Sequence, residues 1–424
     1  MWVFKHKPEP FPAASNRYSV NRIFSALLLP IVILASYLAF ASPGTEPPAN
    51  DPESDEWVMD DELAAYLNQF EKDFKEGLDG KRIPGAAVAI VKDGRVVFQK
   101  GFGVKDTGSE EPVNEHTVFR LGSVSKGFAS VLTGVLVEEG LVDWDDSVSD
   151  YLDEFRLNDP EQTERVQVRH LLSHTSGLPR HAYTNLVEDG LSLERIIPRF
   201  ESVPLISREG EQIAYQNAAY STIEKVLEGQ TGSDFNTLLE QKLFGPLGMD
   251  FASATREGIQ SSENRTLPHI YHSRRRGYVP VSITGKYYNA VSSGGINASA
   301  SDMGKWMLLL TGNAPDVISN ETLDEIFNPL ADINNRRFSR HWNGVNRSHY
   351  AMGWRVLDNH GQKVVYHGGY VNGYRSEIAF APADGVGICI LINTSSSYPL
   401  EVIPDFFNYF RNEDIPDYRK GQAG

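Results

Sequence analysis

The spacing Ser123-Val124-Ser125-Lys126 places a hydroxyl and an amine where they can act together. A serine hydroxyl attacks a carbonyl only once a base takes its proton. A lysine amine can be that base if burial depresses its pKa, and Phe128, Val131, Leu132 and Val135 supply an apolar setting. If Ser123 opens a helix, Lys126 lies about one turn on along the same face. The unpaired N–H groups of that helix start would point at a developing oxyanion. A second group is Tyr215-Gln216-Asn217. A phenol near a lysine relays protons, and an asparagine amide holds a substrate carbonyl. A third is His367-Gly368-Gly369-Tyr370 at the end of a strand-like run. Glycines there let a substrate backbone approach a strand. The Tyr370 N–H would face the Ser123 N–H as a second oxyanion donor, with His367 orienting substrate or tuning charge. Each motif alone has a plainer reading: an N-capping serine with a surface lysine, a turn with a core tyrosine, a glycine bulge beside an incidental histidine.

The elements that must position these groups are legible as patterns. Asp60 or Asp61 caps a helix bearing Leu63, Leu67, Phe70 and Phe74. Two β-like runs, 86–91 and 96–99, are joined by Asp93-Gly94, a tight-hairpin dipeptide. An apolar helix over 125–139 ends at Gly140. The stretch from about 130 to 310 is helix-rich, with helical spacing at 220–228, 235–243 and 302–310. Strand patterns return at 363–366, 375–380 and 386–391. The expected fold class is α+β. One antiparallel sheet is built from both ends of the domain and flanked by helices, and a helical subdomain faces it across a cleft.

The motifs occur in one order and at wide spacing. With them the chain resembles the serine β-lactamase and penicillin-binding hydrolase superfamily, in its class C β-lactamase-like, D-alanyl-D-alanine carboxypeptidase and esterase branch. The resemblance spans about residues 85 to 393. The family's serine-x-x-lysine falls on Ser123 and Lys126, its tyrosine-x-asparagine on Tyr215 and Asn217, and its lysine- or histidine-x-glycine on His367 and Gly369. The stretches 140–146, 170–178 and Ser292-Ser293-Gly294-Gly295 are similar as well. The resemblance implies an acyl-enzyme on Ser123 without cofactor or metal, with Lys126 or Tyr215 as base. Asn217, His367, Gly368, Gly369 and Tyr370 would bind a small-molecule or peptide substrate. Histidine at 367, where many β-lactamases of the branch carry lysine, leans toward peptidase- or esterase-like members. β-Lactamase or D-alanyl-D-alanine carboxypeptidase activity on cell-wall peptides is the alternative, and a non-catalytic binding or scaffold protein of the same fold is another. Arg375 is either a holder of a substrate carboxylate or a strand-pairing residue.

Across 424 residues the formal net charge is −16, which disfavours nucleic acid as a partner. Cys389, the one cysteine, sits in an apolar run and reads as a small buried hydrophobe. His170 and His174 have helical metal-pair spacing, but no glutamate follows His170 in the usual manner. Lys5, Lys7, Arg17 and Arg22 precede an apolar run, and Glu46, Asp51 and Glu53 follow it. This charge asymmetry points to export of the main body. The expected order is a basic region 1–22, a membrane anchor or signal segment 23–41, an acidic proline-rich linker 42–58, a β-lactamase-like serine hydrolase domain 59–411 and a polar tail 412–424. The body would be periplasmic, in contact with the inner membrane if segment 23–41 is retained.

Overall fold

The computed structural model describes residues 59–333, 342 and 345–410. The expected basic region 1–22, anchor or signal segment 23–41, linker 42–58 and tail 412–424 lie outside the described residues. Among the described residues no helix is long and apolar enough to cross a membrane.

The Asp60 carboxylate accepts the Leu63 N–H at 2.6 Å and starts helix α1 (Asp61–Lys81). Strands β1 (Gly85–Lys92) and β2 (Arg95–Gly103) follow. Asp93 and Gly94 between them take φ of 49° and 72°, the left-handed pair that a two-residue hairpin needs. β3 (Phe119–Arg120) leads into α2 (Ser125–Glu138), closed by Gly140 at φ 70°. The helical middle contains α3 (Asn217–Thr231) and α4 (Phe235–Leu239), then a hairpin of β4 (His269–Ser273) and β5 (Gly277–Pro280). A short α5 (Val291–Gly294), β6 (Asn297–Ala298) and α6 (Ala300–Leu310) complete it. The chain then runs through β7 (Ala331–Asp332), β8 (Val345–Tyr350), β9 (Arg355–Asn359), β10 (Gln362–Val371), β11 (Tyr374–Ala381) and β12 (Val386–Ile392) to α7 (Pro399–Tyr409).

One antiparallel sheet has the order β2-β1-β12-β11-β10-β9-β8-β7, so strands from both ends of the described chain meet at β1 and β12. β1 and β12 are buried along almost their whole length because both faces are covered. Ala86, Val88 and Ile90 pack with Leu67, Phe74, Ile403 and Phe407 of α1 and α7. Ala87, Ala89 and Val91 face the larger core of Phe128, Leu132, Met303 and Trp306 from the middle helices. Two-sided burial also erases the alternating pattern by which strands are read from sequence.

Two expectations change in detail. The helix over 235–243 ends at Leu239 and passes into a wider turn over Glu240–Phe244. The 363–366 strand runs on to Val371, so His367 to Tyr370 lie inside it. Pairing of Gly368 with Glu377 and of Gly369 with Ser376 uses backbone groups, and these need no side chain.

Candidate active site

Ser123 is held between a helix start and a strand. A short helical turn, Gly122–Val124, runs directly into α2. The Leu121 N–H donates to Ile296 O at 2.9 Å, and the Ser376 hydroxyl donates to Leu121 O. Gly122 has φ 52°, and a Cβ there would stand 2.8 Å from the Tyr370 backbone nitrogen. Only glycine allows both that conformation and that approach. The result brings Ser123, which is partly exposed, against the Tyr370 end of β10.

Lys126, next along α2, has no exposed surface. Its Nζ donates to Asn217 Oδ1 at 2.8 Å and to the Ser293 carbonyl at 2.9 Å, and lies 4.8 Å from the centre of the Tyr215 ring. No carboxylate pairs with it among the described residues. Burial pushes the Lys126 ammonium below its ordinary pKa, Tyr215 draws it back up, and the Arg355 guanidinium lowers it again. The Tyr215 phenol feels both the Lys126 amine and the Ser123 hydroxyl electrostatically. Burial alone would raise that phenol, but Lys126 and Arg355 outweigh it and hold the phenol below its usual range. Asn217 begins α3, and its Nδ2 donates to Tyr287 Oη at 3.1 Å. Tyr287 in turn donates to Glu188 Oε1 at 2.9 Å, which fixes the orientation of the amide.

The third motif divides into two parts. Gly368, Gly369 and Tyr370 line the strand beside Ser123, and Tyr370 is 55% exposed. His367 is fully buried. Its Nε2 meets Tyr350 Oη at 3.1 Å, and its Nδ1 meets Gly368 O at 2.9 Å. Burial, then Arg355 and Lys126, keeps this imidazole well below its ordinary pKa and therefore neutral. His367 thus offers no exposed atom to a ligand, which the expected substrate-binding role would need.

The sequence model of the family described as Beta-lactamase matches residues 70–405. The chain belongs to the Beta-lactamase family. Among its relatives, an "Unguisins hydrolase ungD'" of Aspergillus campestris is 28% identical over 332 residues, covering 76% of this chain and 61% of that protein. "Protein flp" of Staphylococcus aureus is 25% identical over 337 residues, covering 78% of this chain and 64% of that protein. The chain therefore spans about three-fifths of the length of these curated relatives. In structure it is similar to an octameric penicillin-binding protein homologue from Pyrococcus abyssi, with TM-score 0.70 and 24% identity over 82% of this chain and 78% of that one. That likeness concerns the fold.

Within this family frame, several neighbours of the site carry no sequence signal. Arg355, on β9, lies 5.9 Å from the Tyr215 ring and 5.7 Å from that of Tyr350. A lone arginine after Gly353-Trp354 gives no hint of this, because the strand pairing that delivers it is remote in sequence. The His174 ring lies 4.3 Å from the Tyr215 ring, tilted by 44°, and accepts the Gln216 N–H at 3.3 Å. It sits past the end of the helix Val168–Leu172 with φ 60°, so the helical spacing from His170 is not realised. His170 Nδ1 accepts the Gln167 N–H at 3.0 Å instead. Arg375 donates to Glu377 Oε1 at 2.9 Å within its own strand, so its guanidinium is engaged by a neighbouring carboxylate.

Proposed function

We propose that this protein is a serine hydrolase that forms an acyl-enzyme on Ser123 from an amide or ester, in peptidase- or esterase-like fashion. The observation that carries the reading is that Lys126, one helical turn after Ser123, is fully buried 4.8 Å from the Tyr215 ring and bound to Asn217, with no carboxylate partner among the described residues. A buried amine without a counterion favours its neutral form, and a neutral amine accepts protons. A phenol beside two cations favours phenolate for the same electrostatic reason. The pair therefore shares one mobile proton, and the base is the pair rather than either member.

The substrate carbonyl carbon meets Ser123 Oγ, and its oxygen lies between the N–H groups of Ser123 and Tyr370. The serine proton passes to the Lys126–Tyr215 pair as the C–O bond forms. Collapse of the tetrahedral intermediate breaks the bond to the leaving group, which takes that proton through Tyr215. Water then attacks the acyl-enzyme by the reverse proton route and frees Ser123. Asn217, Gly368 and Gly369 position the substrate, and no step calls for a cofactor or metal.

A relative named as a hydrolase supports this reading over a binding or scaffold role, as does the partial exposure of Ser123. Acidic groups after the apolar run and basic groups before it favour export to the periplasm, with the inner membrane as the contact if segment 23–41 is retained. The deciding experiment is labelling with a fluorophosphonate or a labelled penicillin. Wild type should label and Ser123→Ala should not; full labelling of the variant removes Ser123 as nucleophile. Nitrocefin, a p-nitrophenyl ester and a D-Ala-D-Ala peptide, assayed together, separate esterase, β-lactamase and D,D-carboxypeptidase activity.

A further inference from the structure

α3 carries a carboxyl group that the chemistry at Ser123 does not touch. Glu224 stands seven residues after Asn217, two turns along the same face. Asn217 meets Lys126, while Glu224 turns to α5. Glu224 Oε1 accepts the Ser292 N–H at 2.8 Å and the Ser292 hydroxyl at 2.6 Å. Ser221, also on α3, places its hydroxyl 3.0 Å from Ser292 Oγ. One residue further on, the Ser293 carbonyl accepts Lys126 Nζ at 2.9 Å. α5 has only four residues, too few to hold its own place by internal hydrogen bonds. An anchor from outside must set where its carbonyl groups point.

We infer that Glu224 is a positioning residue for the reaction at Ser123: by gripping Ser292 it fixes the Ser293 carbonyl that orients the Lys126 amine. The inference rests on the reading of Ser123 and Lys126 as the hydrolytic pair.

The position has a further property. Glu224 is 5% exposed, and burial raises its carboxyl to about 7 against the pull of the Ser292 hydrogen bonds. Glu228 on the same helix raises it further, and Lys225 lowers it. Glu224 borders a cavity of about 230 Å³ whose other ionisable lining groups are Glu194, Lys225, Glu228, Asp234 and Tyr288. Lys225 is paired with Glu194 and Glu228 there. Asp234 caps α4, accepting the Thr237 N–H at 3.0 Å. α5 itself brings no charged side chain, and Lys126 lies on the far side of Ser293. The cavity gives Glu224 a path for proton exchange with solvent, and Ser123 is not among its lining residues. When ionised, the carboxylate holds the Ser292 N–H and O–H more strongly than the neutral acid does. The grip on α5 thus tightens as pH rises through neutrality.

The test follows fluorophosphonate labelling and p-nitrophenyl ester turnover from pH 5 to 9 in wild type, Glu224→Gln and Glu224→Ala, with circular dichroism to report folding. Wild type should show an inflection near pH 7. Glu224→Gln retains an acceptor for Ser292, so it should stay within about fivefold of wild type at low pH and lack that inflection. Glu224→Ala should lose tenfold or more in labelling rate and kcat with KM changed less than twofold. If Glu224→Ala fails to fold, the pH profile of Glu224→Gln decides alone. Labelling of a folded Glu224→Ala within twofold of wild type, or an unchanged inflection in Glu224→Gln, overturns the inference. A wild type that never labels sinks the Ser123 reading and this inference with it. A labelling wild type with an unchanged Glu224→Gln profile sinks the inference only.

Discussion

Two cations sit on opposite sides of the β10–β11 ladder. Arg375 pairs with the buried Glu377, which also accepts from Tyr366 Oη at 2.5 Å. Lys126 is buried as deeply as Glu377 but among the described residues meets an amide, a carbonyl and the rings of Tyr215 and Tyr220. The first cluster balances its charge internally and holds two strands in register. The second leaves a charge unbalanced, and the cost of burying it appears as an amine held below its ordinary pKa. Burial with a counterion makes a structural ion pair; burial without one makes a base.

Exchanging the roles of the two clusters tests the contrast. Lys126→Met should reduce kcat/KM by roughly 10³-fold or more, as loss of an acid–base group does, while the denaturant midpoint moves little. A variant that keeps more than a tenth of wild-type activity would place the base elsewhere. Glu377→Leu should do the reverse. It leaves Arg375 without its partner and should cost about 3 kcal/mol, the low end for a broken buried pair, because 22% of the Arg375 side chain stays exposed. Urea unfolding measures this, and a midpoint equal to wild type would show the pair to be neutral.

Smaller effects concern the surroundings of the unbalanced cation. Arg355 lowers both Lys126 and Tyr215. Under the proposed mechanism the active form is the deprotonated pair, so kcat/KM should rise with pH through the pair's pKa. Arg355→Met removes a neighbouring positive charge, raises both pKa values and should shift that limb upward by about one pH unit. A limb that stays in place would remove Arg355 from the electrostatics of the site. His367 contributes through stability. Its folded pKa is well below the ordinary value, so below about pH 6.5 the unfolded chain takes up a proton that the folded chain refuses. Stability present above that pH is lost as pH falls, by at most about 1.4 kcal/mol per unit for this one group. His367→Asn should show a shallower acid loss of urea midpoint than wild type; an equally steep loss would assign the acid sensitivity to other groups.

Much of the frame was legible because it rests on local chemistry. The Asp60 cap, the Asp93-Gly94 hairpin and the Gly140 helix stop depend on φ preferences and side-chain acceptors within a few residues. The motifs at 123, 215 and 367 were readable as residue types at a spacing. The extension of β10 through two glycines was not, since ladder pairing comes from a partner strand. Nor were β8 and β9, whose polar residues show no alternation.

By itself the sequence determined which chemical groups the chain owns, the elements that carry them and the α+β order of those elements. Tertiary structure alone decided which groups meet: that Lys126 has no carboxylate beside it among the described residues, that Arg355 arrives beside Tyr215, that His367 turns inward to Tyr350, and that Glu224 holds Ser292. Proton affinity depends on burial and on neighbours a few ångströms away. Here such neighbours are as remote in sequence as Lys126 and His367, beyond the reach of any local pattern.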